Sequence, residues 1–280
     1  MAEQNIPMVR LPSGEEIPAL GQGTRGMAED PRCRDSEIAA LRAGIDLGLT
    51  VVDTAGRYAD GGAEELVREA IVDRRDEVFL ISRIAADEAT GAGTAAACAA
   101  SLRRLGTDRI DLLLLQRSPG AALAEIVATL TDLITRGMIR HWGVTDFDVA
   151  DVVALTDVPG GTAVEADQVR YNLTRRGIER DLLPRCRRAG LPVIASSPLA
   201  GGRLPSHPVL ARLAERHRVT PGQLGLAWSI RQGGVCAVTR ARTPARVREN
   251  RAALDLTLSG ADLAELDRAF PPPAGSRPAR

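Results

Sequence analysis

Thr50-Val51-Val52-Asp53-Thr54-Ala55-Gly56-Arg57-Tyr58 is a β-branched run that ends in an acid and is followed, a few residues on, by a tyrosine. Bracketed by Gly48 and Gly56, residues 50–53 read as a buried strand. Asp53 then stands at the strand's carboxyl end, where the loops of a parallel barrel or open sheet gather to build sites. Tyr58 is one of 2 tyrosines in the chain and lies in the loop that this strand presents. On this segment alone, an N-capping acid with a surface tyrosine competes with a catalytic pair.

The flanking sequence repeats the pattern. Apolar runs at 20–24, 50–53, 78–82, 110–115, 139–145, 165–169, 192–196 and 235–238 read as strands. Helix-period segments at 36–47, 63–72, 94–105, 122–135, 178–189, 209–216 and 244–253 lie between or after them. Eight such units in about 250 residues predict an α/β fold of the (β/α)8 TIM-barrel type. Val9-Arg10-Leu11 and Glu15-Glu16-Ile17 flank Ser13-Gly14 as an N-terminal β-hairpin that would plug or cover one end. A single barrel domain is expected over 1–280.

Composition narrows the function classes. Hydrophobic residues make up 44% of the 280, yet no run approaches membrane-spanning length, so a soluble protein with no membrane partner is expected. The N-terminus lacks the basic-then-apolar layout of a signal peptide, which favours the cytoplasm. A formal net charge of zero gives no general pull toward nucleic acid. Cys33, Cys98, Cys186 and Cys236 are scattered without a paired spacing or a nearby histidine, so they read as reduced thiols and no metal is expected. All 36 basic residues are arginine, for the chain contains no lysine. An arginine where another protein has lysine therefore carries less weight as a sign of changed function.

Several segments resemble, in order, the motifs of the aldo-keto reductases. Asp53-Thr54-Ala55-x-x-Tyr58 with Glu64-Glu65-Leu66-Val67 is similar to the family's second-strand signature. Val78-Phe79-Leu80-Ile81-Ser82-Arg83 is similar to its third strand, which usually closes on lysine, and Ile110-Asp111-Leu112-Leu113-Leu114-Leu115-Gln116 to its fourth, which is usually followed by histidine. Gly143-Val144-Thr145-Asp146-Phe147 resembles Gly-Val-Ser-Asn-Phe, and Asp167-Gln168-Val169-x-Tyr171-Asn172 the sixth-strand motif. Ala195-Ser196-Ser197-Pro198-Leu199 resembles the seventh-strand turn, and Thr243-Pro244-Ala245-Arg246-Val247-Arg248-Glu249-Asn250 the last motif.

The resemblance implies a catalytic set of Asp53, Tyr58, Arg83 and Gln116, of which the first two keep the family's residue type. In the family the tyrosine protonates the carbonyl oxygen as hydride arrives. A phenol with an ordinary pKa near 10 needs a buried cation held by an acid to make that transfer easy. Arg83 can supply the charge and is expected to meet Asp53 in a two-point fork. Gln116 can donate a hydrogen bond to a carbonyl oxygen but cannot become cationic, so the electrophilic half of the site is weakened. Three readings remain open: a barrel with little chemistry left, a reductase whose substrate needs less acid help, and a redox-neutral enzyme or cofactor-binding protein.

For the cofactor, the resemblance implies NADPH. Gln168 would bind the nicotinamide carboxamide, with Thr145 and Asp146 at its other edge. Ser196, Pro198 and Leu199 would form the turn beside it, Ser196 replacing the usual stacked tyrosine. Arg240, Arg246, Glu249 and Asn250 would hold the phosphate and adenine end. Two arginines suit a 2′-phosphate. His207 and His217 are expected at the surface, and His141 as a satisfied core histidine. Arg25 and Arg117, if both point inward, would suit an anionic substrate. The whole implies an NADPH-dependent oxidoreductase of aldo-keto reductase type, acting on a small carbonyl-like or imine-like substrate with Tyr58 as proton donor. A monomer or weak oligomer is expected.

Overall fold

The computed structural model describes residues 6–272, and residues 1–5 and 273–280 lie outside the described residues. β1 (Met8–Arg10) and β2 (Glu16–Pro18) pair antiparallel with Val9 opposite Ile17, which is the expected hairpin. Eight parallel strands follow: β3 (Leu20–Gly23), β4 (Val51–Asp53), β5 (Phe79–Ile84), β6 (Ile110–Gln116), β7 (Ile139–Thr145), β8 (Asp167–Arg170), β9 (Val193–Ser196) and β10 (Val235–Thr239). β10 pairs with both β9 and β3, so the sheet closes into the expected (β/α)8 barrel.

Helices α1 (Arg34–Asp46), α2 (Gly62–Ile71), α3 (Gly91–Leu105), α4 (Leu123–Thr135), α5 (Val149–Thr156), α6 (Leu182–Arg188), α7 (Pro208–His217), α8 (Pro221–Ile230), α9 (Pro244–Arg251) and α10 (Gly260–Ala269) complete the described elements. The helix expected over 178–189 is shorter, because the segment breaks into a short 3-10 turn (Gly177–Glu179) before Asp181 caps α6. α5, α8 and α10 are additional to the helices read from the sequence. Among the described residues no helix is long and apolar enough to cross a membrane.

Strand alternation sends one set of side chains to the barrel axis and the other to the helices. Val51, Ile81, Leu112, Leu114, Ala166, Ile194 and Cys236 form the axial core, and Val9, Leu11 and Ile17 of the hairpin join the same cluster. Leu20, Val52, Leu80 and Leu113 belong instead to the larger cluster beneath the helices. Close packing of β7 on β8 depends on Gly143, where a Cβ would stand 2.6 Å from the Ala166 carbonyl oxygen.

The hairpin seals the amino-terminal end of the barrel. The Ser13 backbone N–H donates to Glu165 Oε2 at 3.0 Å, and Glu15 binds both Arg140 and His141 at 2.8 Å. His141 is thus a satisfied structural histidine, as expected. With that end plugged, the carboxyl ends of the strands form the accessible mouth.

Candidate active site

Asp53 ends β4, and the chain beyond it folds tightly enough to return Tyr58 over the barrel mouth. Ala59 (φ 49°), Asp60 (φ 51°) and Gly61 (φ 95°) follow in succession with left-handed backbone. Only the glycine adopts that region freely, and each of the other two costs about 1–2 kcal/mol. The loop is held through the buried Glu64, to whose Oε2 the half-buried Arg104 donates from Nε at 2.6 Å and to whose Oε1 Ser82 Oγ donates at 2.7 Å. Arg104 lies so close that a Cβ at Gly61 would meet its Cδ at 2.4 Å. Strained backbone over-determined by packing is a common mark of functional loops.

At the mouth, Arg83 Nη1 donates to the Tyr58 hydroxyl at 3.0 Å, and its other arm, Nη2, donates to Gln168 Oε1. Gln168 Nε2 donates in turn to Asp53 Oδ1 at 2.9 Å. The expected two-point fork between Arg83 and Asp53 is absent, for their nearest N···O distance is 3.6 Å, an ion pair without a good hydrogen bond. The cause is the position of Gln168, whose amide occupies the space between acid and guanidinium. Gln116, half-buried at the end of β6, stands outside this hydrogen-bonded set among the described residues.

Burial raises the Asp53 carboxyl above its ordinary range, opposed by Arg83 and by the Gln168 hydrogen bond. Burial likewise raises the Tyr58 phenol, with Arg83 pulling it back. For Arg83, burial acts to lower the value, yet Asp53, Tyr58 and Asp146 together leave it raised, so the guanidinium stays charged. A neutral phenol that accepts from a fixed cation keeps its own proton free to donate.

The residues expected around a cofactor converge in part. The Gln168 carbonyl accepts from Thr145 Oγ1 and from the Asp146 backbone N–H, both at 2.9 Å, so these three form one unit. Asp146 is held at φ 63°, a conformation that Asp tolerates better than most residues. Ser196 ends β9 half-buried, Pro198 is buried, and Asn172 Nδ2 donates to the Ser197 carbonyl at 2.9 Å to fix the turn. Arg240 and Arg246 are exposed. Arg240 donates to the Arg25 carbonyl at 3.1 Å, and Arg246 pairs with Glu249 at 2.6 Å. Glu249 also accepts from Thr220 at 2.7 Å, while Asn250 is buried.

The aldo/keto reductase family profile matches residues 19–270. The chain belongs to the aldo/keto reductase family. It is similar to methylglyoxal reductase YeaE of Escherichia coli (strain K12), with 47% identity over 273 residues and 96% of each chain covered. It is also similar to an aldo-keto reductase from Klebsiella pneumoniae solved in complex with NADPH, at 45% identity and TM-score 0.95, covering 98% of this chain and 99% of that one. A structure of an aldo/keto reductase from the same organism in complex with NADP and acetate matches at 45% identity and TM-score 0.94, covering 98% of each chain.

Other residues singled out in the sequence resolve differently from expectation. His207 and His217 are half-buried, not surface residues: His207 caps α7 and packs its ring 4.3 Å from that of Phe270, and His217 pairs with Asp262 at 3.1 Å. Arg117 is turned aside by an ion pair to Asp151, so it and Arg25 do not form an inward pair. Arg25 is exposed and close enough to act on the Tyr58 charge. Arg104 was not legible as a site residue, and nothing in its local sequence marks it.

Asp167, beside Gln168 on β8, faces the opposite way. Its carboxyl is fully buried, and neither oxygen has a hydrogen-bond partner among the described residues. Burial, joined by Asp146 and Asp151 and, less, by Asp148, outweighs the pull of the nearby Phe147 backbone N–H and holds it well above the ordinary carboxylate range. The folded state therefore keeps this proton more tightly than the unfolded chain. Its contribution to stability is complete below about pH 3.9 and is lost as pH rises through the folded value. Asp167→Asn cannot ionise and should be more stable than the parent near pH 7, by about 1–3 kcal/mol, with the gap shrinking as pH falls. Denaturant unfolding at neutral and acidic pH checks this, and equal stability at neutral pH would contradict an unpaired buried carboxyl.

Proposed function

We propose that this chain is an NADPH-dependent reductase of small activated carbonyl compounds, methylglyoxal among them, with Tyr58 as proton donor. The observation that carries the reading is the Tyr58 hydroxyl held by the buried Arg83 guanidinium at the barrel mouth, 3.0 Å apart. The 47% identity to a methylglyoxal reductase supports the substrate class.

The residues present fit NADPH. The Thr145–Asp146–Gln168 unit lies beside Tyr58's hydrogen-bonding partners and has amide groups for a carboxamide. Arg240 and Arg246 keep exposed guanidinium groups for a 2′-phosphate, and Glu249 and Asn250 lie beside them for the adenine end. When bound, NADPH supplies the hydride that reaches the carbonyl carbon.

The chain's own residues handle the oxygen. As the carbon–oxygen double bond becomes single, Tyr58 gives its proton to the oxygen and an alcohol results. Arg83 steadies the negative charge left on the phenol, and solvent restores the proton, since a guanidinium does not release one at these pH values. In this reading Asp53, Tyr58, Arg83 and Gln116 fill the places of the family's catalytic set, with Arg83 in the lysine position and Gln116 in the histidine position. Gln116 offers the substrate oxygen a neutral donor only. An α-oxoaldehyde compensates, because its second carbonyl withdraws electrons and makes the aldehyde carbon easier to attack without a strong external acid.

Consumption of NADPH absorbance with methylglyoxal tests the reading. The parent should turn over, and Tyr58→Phe should lower kcat by about a hundredfold or more while leaving NADPH affinity close to the parent's. A parent with no turnover, or a Tyr58→Phe variant as fast as the parent, would sink it. Replacing Arg240 and Arg246 together with alanine should weaken NADPH far more than NADH, because only NADPH carries the extra phosphate dianion. Equal weakening of both in fluorescence titrations would remove these arginines as phosphate ligands.

A further inference from the structure

We propose that Gln168 is a positioning residue for proton donation, holding Arg83 against Tyr58 and linking it to Asp53 through its side-chain amide. The geometry is specific. A buried cation whose counter-acid lies 3.6 Å away needs another anchor, and Gln168 Oε1 provides it on the Nη2 side while Nη1 meets the phenol. The same amide donates to Asp53 Oδ1 at 2.9 Å, so acid, amide, guanidinium and phenol form one continuous chain. Arg83 Nε is buried without a hydrogen-bond partner among the described residues, so no other polar contact replaces the amide.

The placement of Gln168 is itself rigid. It is 1% exposed, and its carbonyl is held by Thr145 and Asp146. Its amide hydrogens and oxygen lone pairs exceed the two bonds that it makes, so it can hold Arg83 and still present a group to a neighbour at the mouth. Without it, the guanidinium loses its Nη2 anchor and is free to swing toward Asp53, away from the phenol. The charged groups acting on Tyr58 are Arg83 of β5, Asp53 of β4 and Arg25 after β3, with Asp146 acting on Arg83. Loss of Arg83 from that set leaves burial and Asp53 to raise the phenol further.

The test reads Tyr58 directly, in the cofactor-free protein. The chain has 2 tyrosines, and Tyr171, buried and paired with Glu179, is pushed far above the ordinary range, so tyrosinate absorbance titrates Tyr58 first. Tyr58→Phe identifies that signal by abolishing it. Gln168→Leu should move Tyr58 ionisation upward by about one pH unit or more. Gln168→Met, unbranched and adaptable, supplies the same comparison should the leucine variant not fold.

A second arm rests on the reductase reading. At saturating NADPH, Gln168→Leu should lower kcat for methylglyoxal by about a hundredfold and shift the alkaline limb of its pH profile upward. Unchanged Tyr58 ionisation, with only NADPH affinity weakened, would overturn the proposal and leave Gln168 a cofactor ligand alone. A parent inactive toward methylglyoxal whose Tyr58 titration still moves in Gln168→Leu would sink the reductase reading and leave the positioning role standing.

Discussion

A guanidinium buried at the mouth of a barrel must find partners for its charge and its donors, and the way Arg83 finds them governs the site. Its side chain is 17% exposed, too little for water to carry the load. The acid that balances it, Asp53, ends a neighbouring strand and comes no nearer than 3.6 Å. One Nη arm goes to the Tyr58 hydroxyl and the other to Gln168, whose amide reaches back to Asp53. Four groups on three strands and one loop are thereby fixed with respect to each other. The strands are fixed by a closed barrel with a packed axis and a plugged lower end. The loop is fixed by the half-buried Arg104 paired with the buried Glu64, which holds three successive left-handed residues behind the tyrosine.

The same constraint shapes the chemistry. A lysine at the position of Arg83 would bring a compact ammonium and one point of charge, whereas the guanidinium spreads its charge over a plane and addresses two neighbours at once. It keeps the phenol's surroundings positive without competing for its proton. Gln116, at the end of the adjacent strand β6, brings no charge, so the proposed reductase would lean on the proton donor more than on polarisation of the substrate. A carbonyl made electrophilic by its own neighbour suits that balance. Family membership and the 47% identity to a methylglyoxal reductase support the proposed reading.

Much of this was legible in the sequence, and the misses have physical causes. The strands could be read because a parallel barrel buries both faces of each one, leaving short apolar runs bracketed by turn residues. The hairpin announced itself through Ser13-Gly14. α5 is hard to read because Val149–Thr156 is rich in β-branched residues, and α8 because Gly222 and Gly225 interrupt it. Both carry a capping box that marks the helix start, at Asp148 with Asp151 and at Thr220 with Gln223. The residues at the mouth could be named from strand ends, but their hydrogen-bonding order could not. Whether Asp53 meets Arg83 or Gln168 depends on side-chain reach between adjacent strands and across the barrel, which no spacing in the chain encodes. Arg104 comes from α3, the helix of the next unit, and is invisible in the sequence for the same reason.

In the proposed reductase Arg83 is the cation behind the proton donor, and Arg83→Met removes the charge while keeping an unbranched chain in the same space. Turnover of methylglyoxal at saturating NADPH should then fall by about a hundredfold to ten-thousandfold, with NADPH affinity changed far less. A variant that turns over as fast as the parent would contradict the central claim, because the phenol would then need no buried guanidinium to give up its proton.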